Sequence, residues 1–353
     1  MTVLNVNLKE KKYDILIENG ILNSVGSEIR KIYSGSRIAV ITDKNVNSLY
    51  GNTLCNSLES FGFKPDFIVL EPGEKSKSVK MLEYVYTCLL ESKITRGDMI
   101  IAFGGGVVGD LGGFAASTYL RGIDYVQIPT SLLAQIDSSI GGKVAVNLEQ
   151  GKNLIGSFYH PEKVLIDPYI LNSLPDEFVK DGLGEVIKYA CIKDPDLYKL
   201  LMNIKSKEEL FKNIEKIIFT CCNIKREIVE QDERDTGIRM ILNFGHTLGH
   251  AIEKYYNYEA YTHGEAVAIG MYHITQKSEA LGYTESGTTE KIKNLLLNFG
   301  IDYSFPDIDI EYINKTILLD KKNISENINL ILLKKIGEAF IEKMPVENID
   351  NFL

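Results

Sequence analysis

Met99-Ile100-Ile101-Ala102-Phe103-Gly104-Gly105-Gly106-Val107-Val108-Gly109-Asp110 is the stretch whose reading decides the fold. Five apolar residues in succession suit a strand buried on both faces, as strands of parallel sheets are. The glycines then mark a tight strand-to-helix turn, and the small-residue run from Leu111 to Ser117 opens a helix. Gly104, Gly106 and Gly109 fit G-x-G-x-x-G, where bare backbone can approach a pyrophosphate and the helix N-terminus offers amide donors. A turn packed on glycines, with no ligand, produces the same pattern. The motif also comes late, because a dinucleotide fingerprint normally follows the first strand of its sheet. Here several strand-like runs precede it, so the expected domain is Rossmann-like but of atypical order.

Working outward, Arg37 to Thr42 (RIAVIT) and Phe67 to Leu70 (FIVL) read as further strands. Helical patterns separate them, from Val46 to Phe61 and again up to Glu91. Strands alternating with amphipathic segments imply crossover units and a parallel sheet covered by helices, an α/β domain. Met1 to Leu8 alternates apolar and polar residues and reads as a strand, with neither the basic start nor the apolar core of a secretion signal. After Pro175 the pattern changes to long helical stretches: Glu185 to Ile204, Lys207 to Glu230, Asn243 to Tyr256 and Glu265 to Leu281. The expected division is an α/β domain over 1–175 and a mostly α-helical domain over 176–353, with one strand at Ile328 to Leu333 (INLILL).

The length of 353 residues agrees with two domains at roughly 150 residues each. Five cysteines without CxxC spacing suggest reduced thiols in a cytoplasmic protein. No apolar run approaches the roughly 20 residues that span a bilayer. The net charge is −9, and residues 1–175 hold 17 basic and 18 acidic side chains, leaving 22 and 30 for the remainder. This acidity argues against nucleic-acid or anionic-membrane partners. A small anion would need local basic clusters, and Lys143 beside Gly141-Gly142 and Lys152 beside Gly151 are candidates, although solvated loop lysines look the same.

Four of the five histidines lie between His246 and His273. His246 and His250 are i and i+4 on a helical pattern, a spacing that can hold a divalent metal, and His263-Gly264-Glu265 follows after a loop. The pattern lacks the Glu of HExxH, which disfavours zincin peptidase chemistry. Glu185, on an earlier helix that begins among small residues, is the candidate third ligand. Arg239, Asn243 and His246 recur at spacings of four and three, so an unbroken helix would align a cation with a metal ligand. His160 and His273 read as structural.

Seven blocks occur in one order: GGGVVGDLGGFAASTYLRG, IDSSIGGKVAVN, GKNLIGSF, GLGEVIKYA, DERDTGIR, LNFGHTLGHAIE and HGEAVAIGM. Together, over the span from Pro72 to Lys322, they resemble the 3-dehydroquinate synthase family. The resemblance implies an N-terminal NAD-binding α/β domain, a helical C-terminal domain with one divalent metal (zinc or cobalt), and an active site in the cleft between them. Carried over by motif, Glu185, His246 and His263 match the metal ligands. Pro72, Gly73, Glu74, Lys75, Ser76, Lys77, Gly106, Val107, Val108, Gly109, Asp110, Thr130, Ser131, Lys143, Lys152, Ile170, Leu171, Asn172 and Ser173 match NAD-contacting segments. Asp137, Lys143, Lys152, Asn153, Lys188, Lys225, Arg239, Asn243, His250 and Lys321 match substrate or catalytic positions. Arg121 resembles an arginine that reaches a neighbouring subunit, which implies a homodimer. Asp235 departs from the DERE expected there and puts that contact in doubt.

The activity the resemblance implies is conversion of 3-deoxy-D-arabino-heptulosonate 7-phosphate to 3-dehydroquinate and phosphate. It runs through oxidation at C5 by NAD+, loss of phosphate, return of the hydride, ring opening and aldol closure. Within it, Lys143, Lys152, Asn153, Asn243 and His250 would hold the phosphate, and Lys225 with Arg239 the carboxylate. Two other readings compete: another sugar-phosphate cyclase, acting on a substrate such as glucose 6-phosphate, and a metal-dependent polyol dehydrogenase, which shares this architecture. The first offers no carboxylate to Lys225 and Arg239, and the second would accumulate NADH.

Overall fold

The computed structural model describes residues 1–309, 312, 313, 316 and 327–352. They divide into two units, Met1–Leu174 with Lys225–Glu230, and Pro175–Ile224 with Gln231–Leu353.

The first unit has nine strands: β1 (Thr2–Asn7), β2 (Lys12–Ile17), β3 (Arg37–Asp43), β4 (Lys64–Leu70), β5 (Met99–Gly104), β6 (Asp124–Pro129), β7 (Lys143–Leu148), β8 (Gly151–Phe158) and β9 (Lys163–Ile166). Seven form one sheet in the order β1-β2-β9-β6-β5-β3-β4. Only the edge pair β1 and β2 is antiparallel; the other pairings are parallel. Every residue of β5 is buried. Its alternate side chains explain the unbroken apolar run, because Ile101 and Phe103 pack with Val25, Ile29, Leu54 and Leu58 on one face. Ile100 joins Val85, Leu89, Leu111 and Phe114 on the other. Both faces are dry, so neither admits polar alternation.

From β3 the chain builds β4 on one side and then returns to lay β5 on the other, so the sheet has a topological switch point between β3 and β5. Ligands of open α/β sheets bind outside the carboxyl ends of the strands at such a point. Gly104 ends β5 there, and the helix Gly106–Thr118 begins two residues later. That helix lies close against its strand: a Cβ on Gly112 would sit 2.9 Å from the Ala102 Cβ.

The second unit is mostly helical, with helices Asp176–Ile192, Pro195–Asn203, His246–Tyr255, His263–Ala280 and Thr288–Asn298. Helix Lys207–Gln231 also belongs to it, apart from the stretch Lys225–Glu230 that groups with the first unit. The strand expected at Ile328 to Leu333 is β10 (Asn327–Lys335), paired in a hairpin with β11 (Glu338–Pro345).

The expected helix Glu185 to Ile204 is two helices, because Pro195 cannot continue the first and the Asp194 side chain caps the second. Val46 to Phe61 is helical from Lys44 to Glu59 but interrupted by a π-turn at Asn47–Gly51. Lys143 and Lys152 are not in loops; they lie on the antiparallel hairpin β7–β8. All five cysteines are free thiols. Among the described residues no helix is long and apolar enough to cross a membrane.

Gly112→Ala should destabilise the protein by about 1–3 kcal/mol, since the added methyl must push the helix off β5. Thermal unfolding would then fall by several degrees; a midpoint equal to or above wild type would contradict this packing.

Candidate active site

Two helices of the second unit meet backbone to backbone at Gly184 and Gly264. A Cβ on Gly184 would lie 2.4 Å from the Gly264 carbonyl oxygen, and one on Gly264 would lie 1.9 Å from that of Asp181. No larger residue fits either position. The crossing sets Glu185, the next residue on one helix, beside His263, the preceding residue on the other. His263 is further fixed by its helix start. Thr262 and Glu265 form a capping box there, and the Gly264 N–H donates to Asp181 Oδ1 at 2.7 Å. Burial pushes the Asp181 carboxyl up, against that N–H.

Gly245, at φ +82°, lets the chain turn into the helix that begins at His246. This turn also corrects one expectation. Arg239 and Asn243 lie on a separate 3₁₀ turn, Ile238–Asn243, so they share no continuous helical face with His246.

The result is a compact constellation. Glu185 Oε1 lies 3.3 Å from His246 Nε2 and 3.2 Å from His263 Nε2, and Lys188 Nζ meets the other carboxylate oxygen. Glu185 is 1% exposed, and neither of its oxygens accepts a well-directed hydrogen bond. Burial opposes its ionisation, but Lys188, His246 and His263 outweigh that and hold its carboxyl well below the usual range. His246 Nδ1 lies 3.1 Å from the Phe244 carbonyl oxygen, which accepts the hydrogen bond from Nδ1–H and so leaves the Nε2 lone pair for a metal. These three ligand atoms lie within 4.8 Å of one another. A buried carboxylate oxygen and two imidazole nitrogens converging without well-formed hydrogen bonds on the carboxylate is a donor set that fits zinc or cobalt. A second group, His250, Glu253 and His263, shares one member with it. The His250 ring stands 5.3 Å from that of His246, centroid to centroid.

Arg239 is buried, and its guanidinium donates to the Glu233 carbonyl at 2.6 Å. Asp232 shapes the preceding turn by accepting from the amides of Thr236, Gly237 and Arg239. Asp235 adopts φ +59° within it, a left-handed backbone in which Asp is several-fold enriched.

In the first unit, buried Lys77 holds Asp110 at 2.5 Å; burial pushes that carboxyl up, against the attraction of Lys77. The Pro72–Lys77 segment docks on β7, where the Asn147 amide nitrogen donates to Lys77 O at 2.9 Å and its side chain to Glu74 at 2.6 Å. Asn147 Oδ1 also accepts from the Asn153 N–H at 2.9 Å. Thr130 N donates to Gly104 O at 3.0 Å, tying the Thr130-Ser131 turn to the glycine loop. Ser173 receives the Tyr50 hydroxyl at 2.8 Å. Lys225 donates to the Asp137 carbonyl at 2.9 Å and meets its carboxylate. Arg121 is exposed on a turn where Leu120, Arg121 and Gly122 all have positive φ. Lys321 lies outside the described residues. Asp181 and Glu253 were missed by sequence reasoning, since a carboxylate bound to a helix start or to a ring nitrogen leaves no spacing signal.

The family model described as 3-dehydroquinate synthase N-terminal matches residues 67–181, and the one described as 3-dehydroquinate synthase C-terminal matches 182–323. The chain belongs to the 3-dehydroquinate synthase family. It is 54% identical to the 3-dehydroquinate synthase of Clostridium acetobutylicum, over 100% of this chain and 99% of that protein. It is 56% identical to that of Clostridium perfringens strain SM101, over 98% and 99%. Among solved structures it resembles 2-deoxy-scyllo-inosose synthase complexed with carbaglucose-6-phosphate, NAD+ and Co2+, at a TM-score of 0.88 and 25% identity over 99% of both chains. A butanol dehydrogenase from Thermotoga maritima, at 14% identity and a TM-score of 0.68 over 100% and 97%, shares the fold. The resemblance read from the seven sequence blocks and the expected α/β-plus-helical fold both stand.

The His263 ring gives a pH test. Burial opposes its charge, but Glu185 on one nitrogen and Glu253 on the other raise its pKa to about 10. A metal on Nε2 must displace that proton, so below this pH its affinity should rise about tenfold per pH unit. Calorimetric titration with Zn2+ near pH 7 in buffers of different ionisation heat should report about one proton released; no release would contradict the assignment.

Proposed function

We propose that the chain is a 3-dehydroquinate synthase, a phosphorus–oxygen lyase of the shikimate pathway, which turns 3-deoxy-D-arabino-heptulosonate 7-phosphate into 3-dehydroquinate and phosphate. The observation that carries the reading is 54% identity to a 3-dehydroquinate synthase over the entire chain, joined to an intact Glu185–His246–His263 set. When bound, NAD+ accepts and returns the hydride, and a divalent metal supplies Lewis acidity at the hydroxyl that is oxidised.

The chain's own residues do the rest. Glu185, His246 and His263 hold the metal, and Lys188 occupies the second Glu185 oxygen, which leaves Oε1 as the ligand. The glycine turn after β5, with Lys77 and Asp110, receives NAD at the switch point. Lys143, Lys152, Asn153, Asn243 and His250 hold the phosphate, which itself takes the C6 proton as it leaves. Arg239 offers the fork geometry a carboxylate needs, and Lys225 adds a second cation. That pair favours a carboxylate-bearing substrate over a neutral sugar phosphate. The reading places the protein in the cytoplasm as a homodimer, with Arg121 presented to the partner.

The direct test is phosphate release from the heptulosonate phosphate with catalytic NAD+ and divalent metal. Sustained release without net NADH supports the reading, whereas accumulating NADH without phosphate marks a dehydrogenase. Arg239→Ala should lower kcat/KM by about 3 kcal/mol in transition-state stabilisation, by leaving a buried carboxylate unpaired; unchanged kcat/KM excludes the clamp. His263→Ala should remain folded but lose bound metal and turnover, and full activity after chelation would refute the metal role.

A further inference from the structure

We infer that Glu253 is a positioning residue for the metal site: its carboxylate holds the Nδ1 proton of His263, aims Nε2 at the metal, and adds negative charge behind that ring. This rests on the metal reading above.

Glu253 Oε2 lies 3.2 Å from His263 Nδ1, while Glu185 Oε1 faces Nε2 of the same ring. The imidazole is thus gripped on both nitrogens, one of which can carry a proton and the other a metal. Glu253 is 3% exposed, and a carboxylate so buried is costly unless its charge is used. It follows His246 by seven residues on the same helix, two turns along one face, so this helix supplies one ligand directly and the group behind another. A carboxylate on the far nitrogen fixes the tautomer and strengthens the ring as a donor, which typically changes metal affinity 10–100-fold. Charge points the same way: with Glu185, Lys188 and a dication alone the set would carry +2, and the Glu253 carboxylate lowers that to +1. The corresponding ring position of His246 faces the neutral carbonyl of Phe244, so the two histidines should be unequal donors.

The test titrates metal-free protein with Zn2+ against a competing chelator for wild type, Glu253→Gln and Glu253→Ala. NAD+ affinity, expected to rest on the first unit, serves as the folding control. Glu253→Ala should bind zinc about 10–100-fold more weakly, with Glu253→Gln in between because its amide oxygen still accepts the Nδ1 proton. The visible bands of the Co2+-loaded Gln variant should also shift, a change that a role confined to folding would not produce. A Gln variant with wild-type zinc affinity, unshifted cobalt bands and intact NAD+ binding would overturn the proposal. Wild-type protein that binds no zinc would sink the metal reading itself.

Discussion

The buried carboxylate of Glu185 is the constraint around which the second unit is organised. An isolated carboxylate in such surroundings is strongly disfavoured, and the chain answers with one ammonium and two imidazoles rather than with hydrogen-bond donors of good geometry. Such an arrangement is poor as a structural ion pair. It is well suited to a cation that coordinates Oε1 and both Nε2 atoms.

That constellation depends on backbone packing more than on the ligands' own helices. Gly184 and Gly264 allow two helices to touch, and Gly245 lets a third begin at His246. A methyl at the first two positions would part the helices and separate Glu185 from His263. The first unit uses the same device: Gly112 seats a helix on β5, the strand that ends in the glycine turn at the switch point. In both units small residues bring backbone close, and the chemistry sits one residue away.

Much of this was legible in the sequence because it rests on local pattern. The apolar run Met99 to Phe103, closed by glycines, read as a strand covered on both faces, and the i, i+4 pair His246 and His250 announced one helical face. What was not legible depends on contacts distant in sequence. The break at Gly245 was hidden because Arg239, Asn243 and His246 have helical spacing whether or not the backbone between them is helical. The hairpin β7–β8 was hidden because its glycine-flanked lysines look like loop. Glu253 looked like an ordinary helix residue, since only the fold brings His263 to it. Asp235, where the resemblance leads one to expect Glu, takes a left-handed backbone in which Asp is enriched.

The most direct measurement is anomalous diffraction at the zinc edge from crystals of the zinc-loaded protein. The account predicts one peak per chain, about 2.0–2.2 Å from Glu185 Oε1, His246 Nε2 and His263 Nε2. A peak on other residues, or no peak among these three in protein that turns over, would contradict it.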